Sequence, residues 1–433
     1  MAKKLYEESS IQAIADAIRE KNGETTTYKP SEMAAAITAI TTGGGGEELP
    51  EEAFLITGNC NYRFAYGGWN WFIKRYGNKI TTKDIDDIGS MFYMNTELEN
   101  IPFELNLKNN ITSNMANIFY GCNKLKHIPN IYYTSINYYS DMSGIFKFCR
   151  ELINIPYIYN AYPNGLSGLF ESCFCLKEIP EDYFDTWNFS RVNNFSYASL
   201  GNIFQQCYSL RKLPMKLFNY LENNTVSSVY STFYYRLAYQ CSCLDEIVDL
   251  PVLIKTFTSN LFNDSFDNCY RLNRLTFKTN EDGSPKTANW KAQIIDLSDN
   301  LGWYNTQNSI AITQDNIEQW AISAHIINYN SGITIDKAVY NEATYQALKN
   351  DPDWFCIGSQ LHETNYCRYN HDSAVETINS LPDTSAYLAT AGGTNIIKFY
   401  GAAGLGTDGG AINTLTEEEI AVAAAKGWTV TLV

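Results

Sequence analysis

The chain has 433 residues, 45% of them hydrophobic, which is too long for one ordinary core and too apolar for global disorder. Its 32 Lys and Arg against 47 Asp and Glu give a net charge of −15, so the basic footprint of a nucleic-acid binder is absent. Tyrosine alone contributes 31 residues, a composition that suits recognition surfaces and equally suits aromatic-rich β structure.

The opening "MAKKLYEESSIQAIADAIREK" lacks the continuous apolar core of a secretory signal, and no stretch is apolar enough for a membrane span. Synthesis in a cytoplasm without a signal peptide is expected, with no membrane partner. Ile11, Ile14 and Ile18 fall on one face of a helix over 11–20. Pro30 breaks the connector, Ser31 can cap a second helix, and Met33, Ile37 and Ile40 line its apolar face. Residues 1–42 are therefore expected to form a small helical module, and the glycines of 43–50 a flexible linker. Two short helices bury too little to stand alone, so the isoleucines and Met33 are candidate assembly contacts. Residues 5–40, notably "SIQAIADAIREKNG" and "YKPSEMAAAI", resemble an N-terminal segment of bacteriophage tail-associated and other structural proteins. That resemblance implies anchoring to other tail or baseplate proteins. A homotrimer is a further expectation, by analogy with tail fibres.

One pattern then recurs seven times: "MFYMNTELENIP" (91–102), "IFYGCNKLKHIP" (118–129), "IFKFCRELINIP" (145–156), "LFESCFCLKEIP" (169–180), "IFQQCYSLRKLP" (203–214), "LAYQCSCLDEIV" (237–248) and "SFDNCYRLNRLT" (265–276). The frame is Phe-x-x-Cys-x-x-Leu-x-x-Ile/Leu-Pro, with Asn95 in the first cysteine slot and Ala238 in the sixth phenylalanine slot. The Phe positions are 27, 27, 24, 34, 34 and 28 residues apart, close to leucine-rich-repeat periods with two insertions. Residues 51–277 are expected to stack as such repeats, each giving one short parallel strand around Leu-x-x-Ile. The expected inward-facing core includes Phe119, Cys122, Leu125, Ile128, Phe146, Cys149, Leu152, Phe170, Cys173, Phe204, Cys207, Phe266 and Cys269. Cysteine fits this role as a small buried hydrophobe with a weak donor, and no C-x-x-C pair points to metal.

The pattern over about residues 88–277 is similar to the BspA-like, cysteine-containing leucine-rich repeat of bacterial cell-surface and phage proteins. The resemblance implies an α/β solenoid with a parallel β-strand face, acting in adhesion rather than catalysis. The two residues between Leu and Ile of each copy are free to face outward. Lys126, His127, Asn154, Lys177, Arg211, Lys212 and Arg274 on that face are candidate contacts for a host cell-surface glycan or protein. Tyrosine-rich loops at 130–144, 156–165 and 230–239 are candidate contacts too.

Residues 278–433 alternate helix and strand. A strand is expected at "QIIDL", helices near 313–326, 341–351 and 371–381, and a strand over 394–401. A last helix follows, with Thr416 as cap, Glu419 as capping-box partner and Gly427 as stop, before a closing strand. These elements are expected to continue and cap the solenoid, with a separate domain as the alternative. The ending "TDGGAINTLTEEEIAVAAAKGWTVTLV" resembles terminal repeats of phage-encoded BspA-like proteins.

No Walker loop, G-x-S-x-G, H-E-x-x-H or G-x-G-x-x-G motif stands in the chain, and the four histidines lack ligand spacing. No catalytic residue, metal or cofactor is expected. Together the resemblances imply a virion tail or baseplate protein that presents a leucine-rich repeat for receptor binding. An architectural component without host contact, a bacterial surface-type adhesin and a glycan-degrading tail enzyme are the other readings.

Overall fold

The computed structural model describes residues 54–107, 115–132, 140–189, 200–222, 234–241, 244–267, 269, 272–297, 371–399 and 415–432, and the backbone of the strands Ile310–Ile312 and Ile333–Ile335. The chain divides into one unit spanning Met1–Ala53 and another spanning Phe54–Val433, and only the second contains described residues. The helices expected over 11–20 and 31–40 and the glycine linker at 43–50 lie outside the described residues.

The copy around Phe119 shows how one sequence unit becomes one coil. Alternate amides turn inward on their own coil: Tyr120 N donates to Asn117 O and Cys122 N to Phe119 O, at 3.1 and 3.0 Å. The amides between them reach the next coil. Met115, Asn117, Phe119 and Gly121 donate to the carbonyls of Asp141, Ser143, Ile145 and Lys147 at 2.8 to 3.1 Å. This alternation pairs donors that burial would otherwise strand. It places a left-handed conformation at every fourth residue, as at Asn117 (φ 58°) and Gly121 (φ 75°). Gly121 also needs its missing Cβ, which would sit 2.5 Å from the Met94 sulfur.

The phenylalanines form one column of near-parallel rings. Phe64, Phe92, Phe119, Phe146, Phe170 and Phe204 follow at centroid distances of 5.3, 5.5, 5.8, 5.7 and 6.0 Å. Among the described residues the column thus begins at Phe64, one coil before the first copy read from the pattern. Where Ala238 interrupts it, Tyr234 and Phe262 stack beside the gap at 5.3 Å. Tyr234 is fully buried, so the loop at 230–239 does not offer it as an exposed contact.

Beside the rings runs a column of thiols. Each Sγ donates to the backbone carbonyl at the phenylalanine slot of the preceding coil. Cys122 reaches Phe92, Cys149 Phe119, Cys173 Phe146, Cys207 Phe170, Cys241 Phe204 and Cys269 Ala238, at 2.9 to 3.2 Å. Asn95 makes the same bond with its amide, Nδ2 to Phe64 O at 3.0 Å. Its side chain also exchanges two 2.7 Å bonds with Asn70. An acceptor carbonyl at a fixed place, with little room, explains why a small donor occupies this slot.

Burial pushes the Cys122 thiol up to about 12 and raises Cys149, Cys173, Cys207 and Cys269 as well. The thiolate, not the thiol, is the nucleophile. Native protein is therefore expected to leave Cys60, Cys122, Cys149, Cys173, Cys175, Cys207, Cys241 and Cys269 unmodified by a maleimide. Labelling followed by peptide mass mapping should appear only in step with unfolding. Rapid native labelling of any of these eight would refute the packing described.

The strands differ from the expectation of one per Leu-x-x-Ile. At copies one and two that edge holds a single parallel bridge, Asn100 with His127. Regular strands come after the proline instead, at Leu105–Asn106, Ile131–Tyr132 and Ile158–Tyr159, paired in parallel in that order. Proline ends the ladder because it lacks an N–H and holds its predecessor extended. Copies six and seven have Val248 and Thr276 in the proline slot, and there the strand runs on through Glu246–Leu250 and Arg274–Phe277. Ile128 is only half-buried, packed against the core from outside, whereas Phe119, Cys122, Leu125, Phe146, Cys149, Leu152, Phe170, Cys173, Phe204 and Cys207 are wholly buried. Phe266 and Cys269 are buried as well.

Two helices lie among the coils, α1 (Asn70–Tyr76) and α2 (Met215–Glu222). Three more follow: α3 (His371–Ser380), α4 (Ser385–Ala391) and α5 (Glu417–Ala425). Strands Ile294–Asp296, Asn395–Phe399 and Trp428–Leu432 form a parallel sheet with Asn395–Phe399 central. Helix α3 closes on the last coil: Thr377 Oγ1 donates to Leu275 O at 2.6 Å and Phe277 N to Ser380 Oγ at 3.0 Å. Trp290, Ile295, Ile397, Phe399 and Trp428 belong to the same buried cluster as the coils. The capping box is present, Glu419 N to Thr416 Oγ1 at 3.2 Å and Thr416 N to Glu419 Oε2 at 2.8 Å. Helix α4 was not expected from the pattern. Asp383, one residue before its N-cap Thr384, turns the chain into it by accepting from Ser385 N at 2.9 Å. The helices expected at 313–326 and 341–351 lie outside the described residues.

His371 links α3 to α5. Its ring nitrogens sit 3.1 Å from Asp372 Oδ1 and 3.2 Å from Glu419 Oε2, and Asp372, then Glu419, raise its pKa. A raised folded value means that stabilisation is complete below the unfolded value of about 6.5 and lost as pH climbs through the folded one. The melting temperature should fall between about pH 6 and pH 8 more in the parent protein than in His371→Gln. Equal falls would show that the link contributes nothing.

Candidate functional site

The residues between Leu and Ile of successive copies form a ladder. Lys126 N donates to Glu99 O at 2.8 Å, Arg211 N to Lys177 O at 3.1 Å, Asp245 N to Arg211 O at 3.1 Å and Asn273 N to Asp245 O at 2.9 Å. With the backbone so engaged, the side chains leave the stack on one face. Four predicted contacts, Asn154, Lys177, Arg211 and Lys212, line a single groove of about 760 Å³. Its apolar lining includes Ile153, Ile179, Leu213, Met215 and Val248. That size and mixture suit a ligand site.

The other three predicted contacts stand outside the groove. Lys126 pairs with Glu151 at 3.5 Å, and His127 is exposed on the bridge to Asn100. Arg274 is turned to an internal partner. Its guanidinium grips Glu376 of α3 with two nitrogens, Nε to Oε2 at 2.8 Å, and lies 3.8 Å from Glu246. This pair raises the already high pKa of Arg274, so the residue ties the last coil to α3.

Several groove residues were not read from the sequence: Glu181, Met215, Lys216 and Asn219. For the last three the signal was in "MKLFNYLE" (215–222). Leu217, Phe218 and Leu221 are the buried face of α2, which leaves Lys216 and Asn219 outward. Lys216 is held by Asp185 at 3.2 Å, and Tyr220 Oη donates to that carboxylate at 2.9 Å. Lys212 is held by Glu246 at 3.2 Å.

A second surface feature lies at the first coil. Tyr62, Tyr66, Trp69 and Trp71 are each about half exposed or more. Tyr62 and Tyr66 both meet the edge of Tyr93, which stacks on Tyr120 at 4.8 Å. Farther along, Tyr132 and Tyr159 stack at 4.9 Å, with Tyr132 exposed. Ile11, Ile14, Ile18, Met33, Ile37 and Ile40 lie outside the described residues. Among the described residues no group of three or more His, Cys, Asp or Glu side chains is placed to hold a metal ion. No described helix is long and apolar enough to cross a membrane. Compared with known proteins, the chain matches no family model, no curated protein and no solved structure.

Proposed function

We propose that the chain is a bacteriophage tail or baseplate protein whose stacked coils are BspA-like leucine-rich repeats presented for host-surface recognition. The observation that carries this reading is the groove. A repeat that spaces its outward pair evenly places Asn154, Lys177, Arg211 and Lys212 from successive coils around one cavity. Its partner is a host cell-surface glycan or protein. The helical module over 1–42 anchors the chain to other tail proteins, as a trimer by analogy, and the role is binding without catalysis or cofactor. The resemblances of residues 5–40 and 88–277 support the phage setting.

A purely architectural role is the second reading, favoured by the exposed ring cluster at Tyr62, Tyr66, Trp69 and Trp71, which a neighbouring subunit could cover. Purified particles imaged with a tag after Val433 separate the two readings. Recognition requires the chain in the particle with the coils at its outer surface. A chain missing from particles, or wholly enclosed by other subunits, defeats the recognition reading.

A further inference from the structure

Exposed apolar side chains gather at the two ends of the stack. Among the described residues nine large hydrophobic side chains are exposed. Six lie within residues 55–94, among them Tyr62, Tyr66, Trp69 and Trp71. Two more, Val422 and Leu432, lie in the last layer, which is α5 and the strand Trp428–Leu432. Only Tyr132 stands between. Half of four aromatic side chains is about 400 Å² of ring surface, enough for the core of one side of a specific interface. Each end also carries an open strand edge. Among the described residues Phe54–Asn59 pairs only with Ile80–Asp87, and Trp428–Leu432 only with Asn395–Phe399. Unpaired edges of this kind are templates for another strand.

Three features say what fits the first end. Polarity is one. In the turn segments the earlier coil donates and the later accepts, as Phe64 N does to Met91 O at 2.8 Å and Phe92 N to Ile118 O at 2.9 Å. Arg63 and Ala65 flank Phe64 as Met91 and Tyr93 flank Phe92, so their carbonyls face away from the second coil. Two copies set head to head would there meet acceptor against acceptor. Direction is another. Both open strands belong to parallel pairs, and at six and five residues they match in length. Trp428–Leu432 of one copy beside Phe54–Asn59 of another therefore continues a parallel ladder. Charge is the third. Residues 54–94 hold five Lys and Arg against three Asp, a net +2, and residues 415–432 one Lys against three Glu, a net −2. Helices already stack on coils within the chain, where Thr377 Oγ1 of α3 donates to Leu275 O at 2.6 Å.

We infer that copies of this chain stack end to end, with α5 and the strand Trp428–Leu432 of one copy covering the first coil of the next. Such a contact joins two different surfaces, so it closes a ring or extends a row. It goes beyond both functional readings, which the chain's place in the particle decides.

The test uses the full chain at rising concentration in sedimentation velocity. Species heavier than the 49.0 kDa monomer are expected. Association should weaken at least about 10-fold in Trp71→Ser and again in Leu432→Asp. Tyr132→Ser, exposed on a middle coil, should associate as the parent does. Circular dichroism checks that each variant is folded. A photo-activated cross-linking residue in place of Tyr66, in a chain mixed with an isotopically heavy copy, should join to heavy peptides within 415–432. A monomer at every concentration, an oligomer that neither Trp71→Ser nor Leu432→Asp weakens, or cross-links to the heavy copy's own first coil would each overturn the inference.

Discussion

Phe146→Ala should destabilise the unit from Phe54 onward by about 3–5 kcal/mol, read from denaturant midpoints at unchanged slope. Phe146 is wholly buried, and its ring lies 5.8 Å from Phe119 and 5.7 Å from Phe170. Alanine leaves a ring-sized cavity in the middle of a column whose members are fixed by backbone bonds on both sides. Phe119 N and Phe146 N donate to Ile145 O and Leu169 O, both at 3.0 Å, so neither coil can slide in to fill the gap. Lys124→Ala, on an exposed pair, should change stability by less than about 0.5 kcal/mol. A Phe146→Ala cost below about 1 kcal/mol would mean that the coils do not share a packed interior.

Trp290→Ala should cost a similar amount, about 3–5 kcal/mol, and should do so at the junction between coils and C-terminal elements. The indole is buried. It packs edge-on against Phe262 at 5.7 Å, Phe277 at 6.4 Å and Trp428 at 6.5 Å. Its Nε1 donates to Ile254 O at 2.6 Å. Trp290→Phe keeps most of the apolar contact and should lose only about 1–3 kcal/mol, because it leaves that carbonyl unpaired. If coils and C-terminal elements fold together, tryptophan fluorescence and circular dichroism will lose signal in one coincident transition in both variants. Two separated transitions in the parent protein would show instead that the C-terminal elements form their own domain.

The interior was legible because it repeats. A single Cys-x4-His stretch at Cys122 and His127 reads as possible chemistry, but six aligned copies read as one slot for a small donor. The structure gives the slot its reason, a carbonyl of the preceding coil about 3 Å away. The coil at Phe64 escaped the pattern because Gly67 stands in its cysteine position and Asn70, bonded to Asn95, in its leucine position. Strand positions were misread because Leu-x-x-Ile suits a strand by propensity while the following proline terminates one. Only Val248 and Thr276, in the same slot, reveal the rule.

The candidate site was legible in half. Outward residues of an evenly spaced repeat can be named without a structure, and four of seven share the groove. Its second wall comes from α2, inside a long insertion whose path the repeat does not dictate. Arg274 was misjudged because its partner, Glu376, is 102 residues away in sequence. No local signal marks such a pair.

The central claim is that the groove side of the coils meets the host. Antibody fragments selected against the face from Asn154 to Glu246, with their epitope confirmed by Lys177→Glu and Lys212→Glu, test it on intact particles. The account predicts that saturating fragment abolishes adsorption to host cells, while a fragment against α5 does not. Particles that adsorb normally with the groove fragment bound, or whose groove the fragment cannot reach, would contradict it.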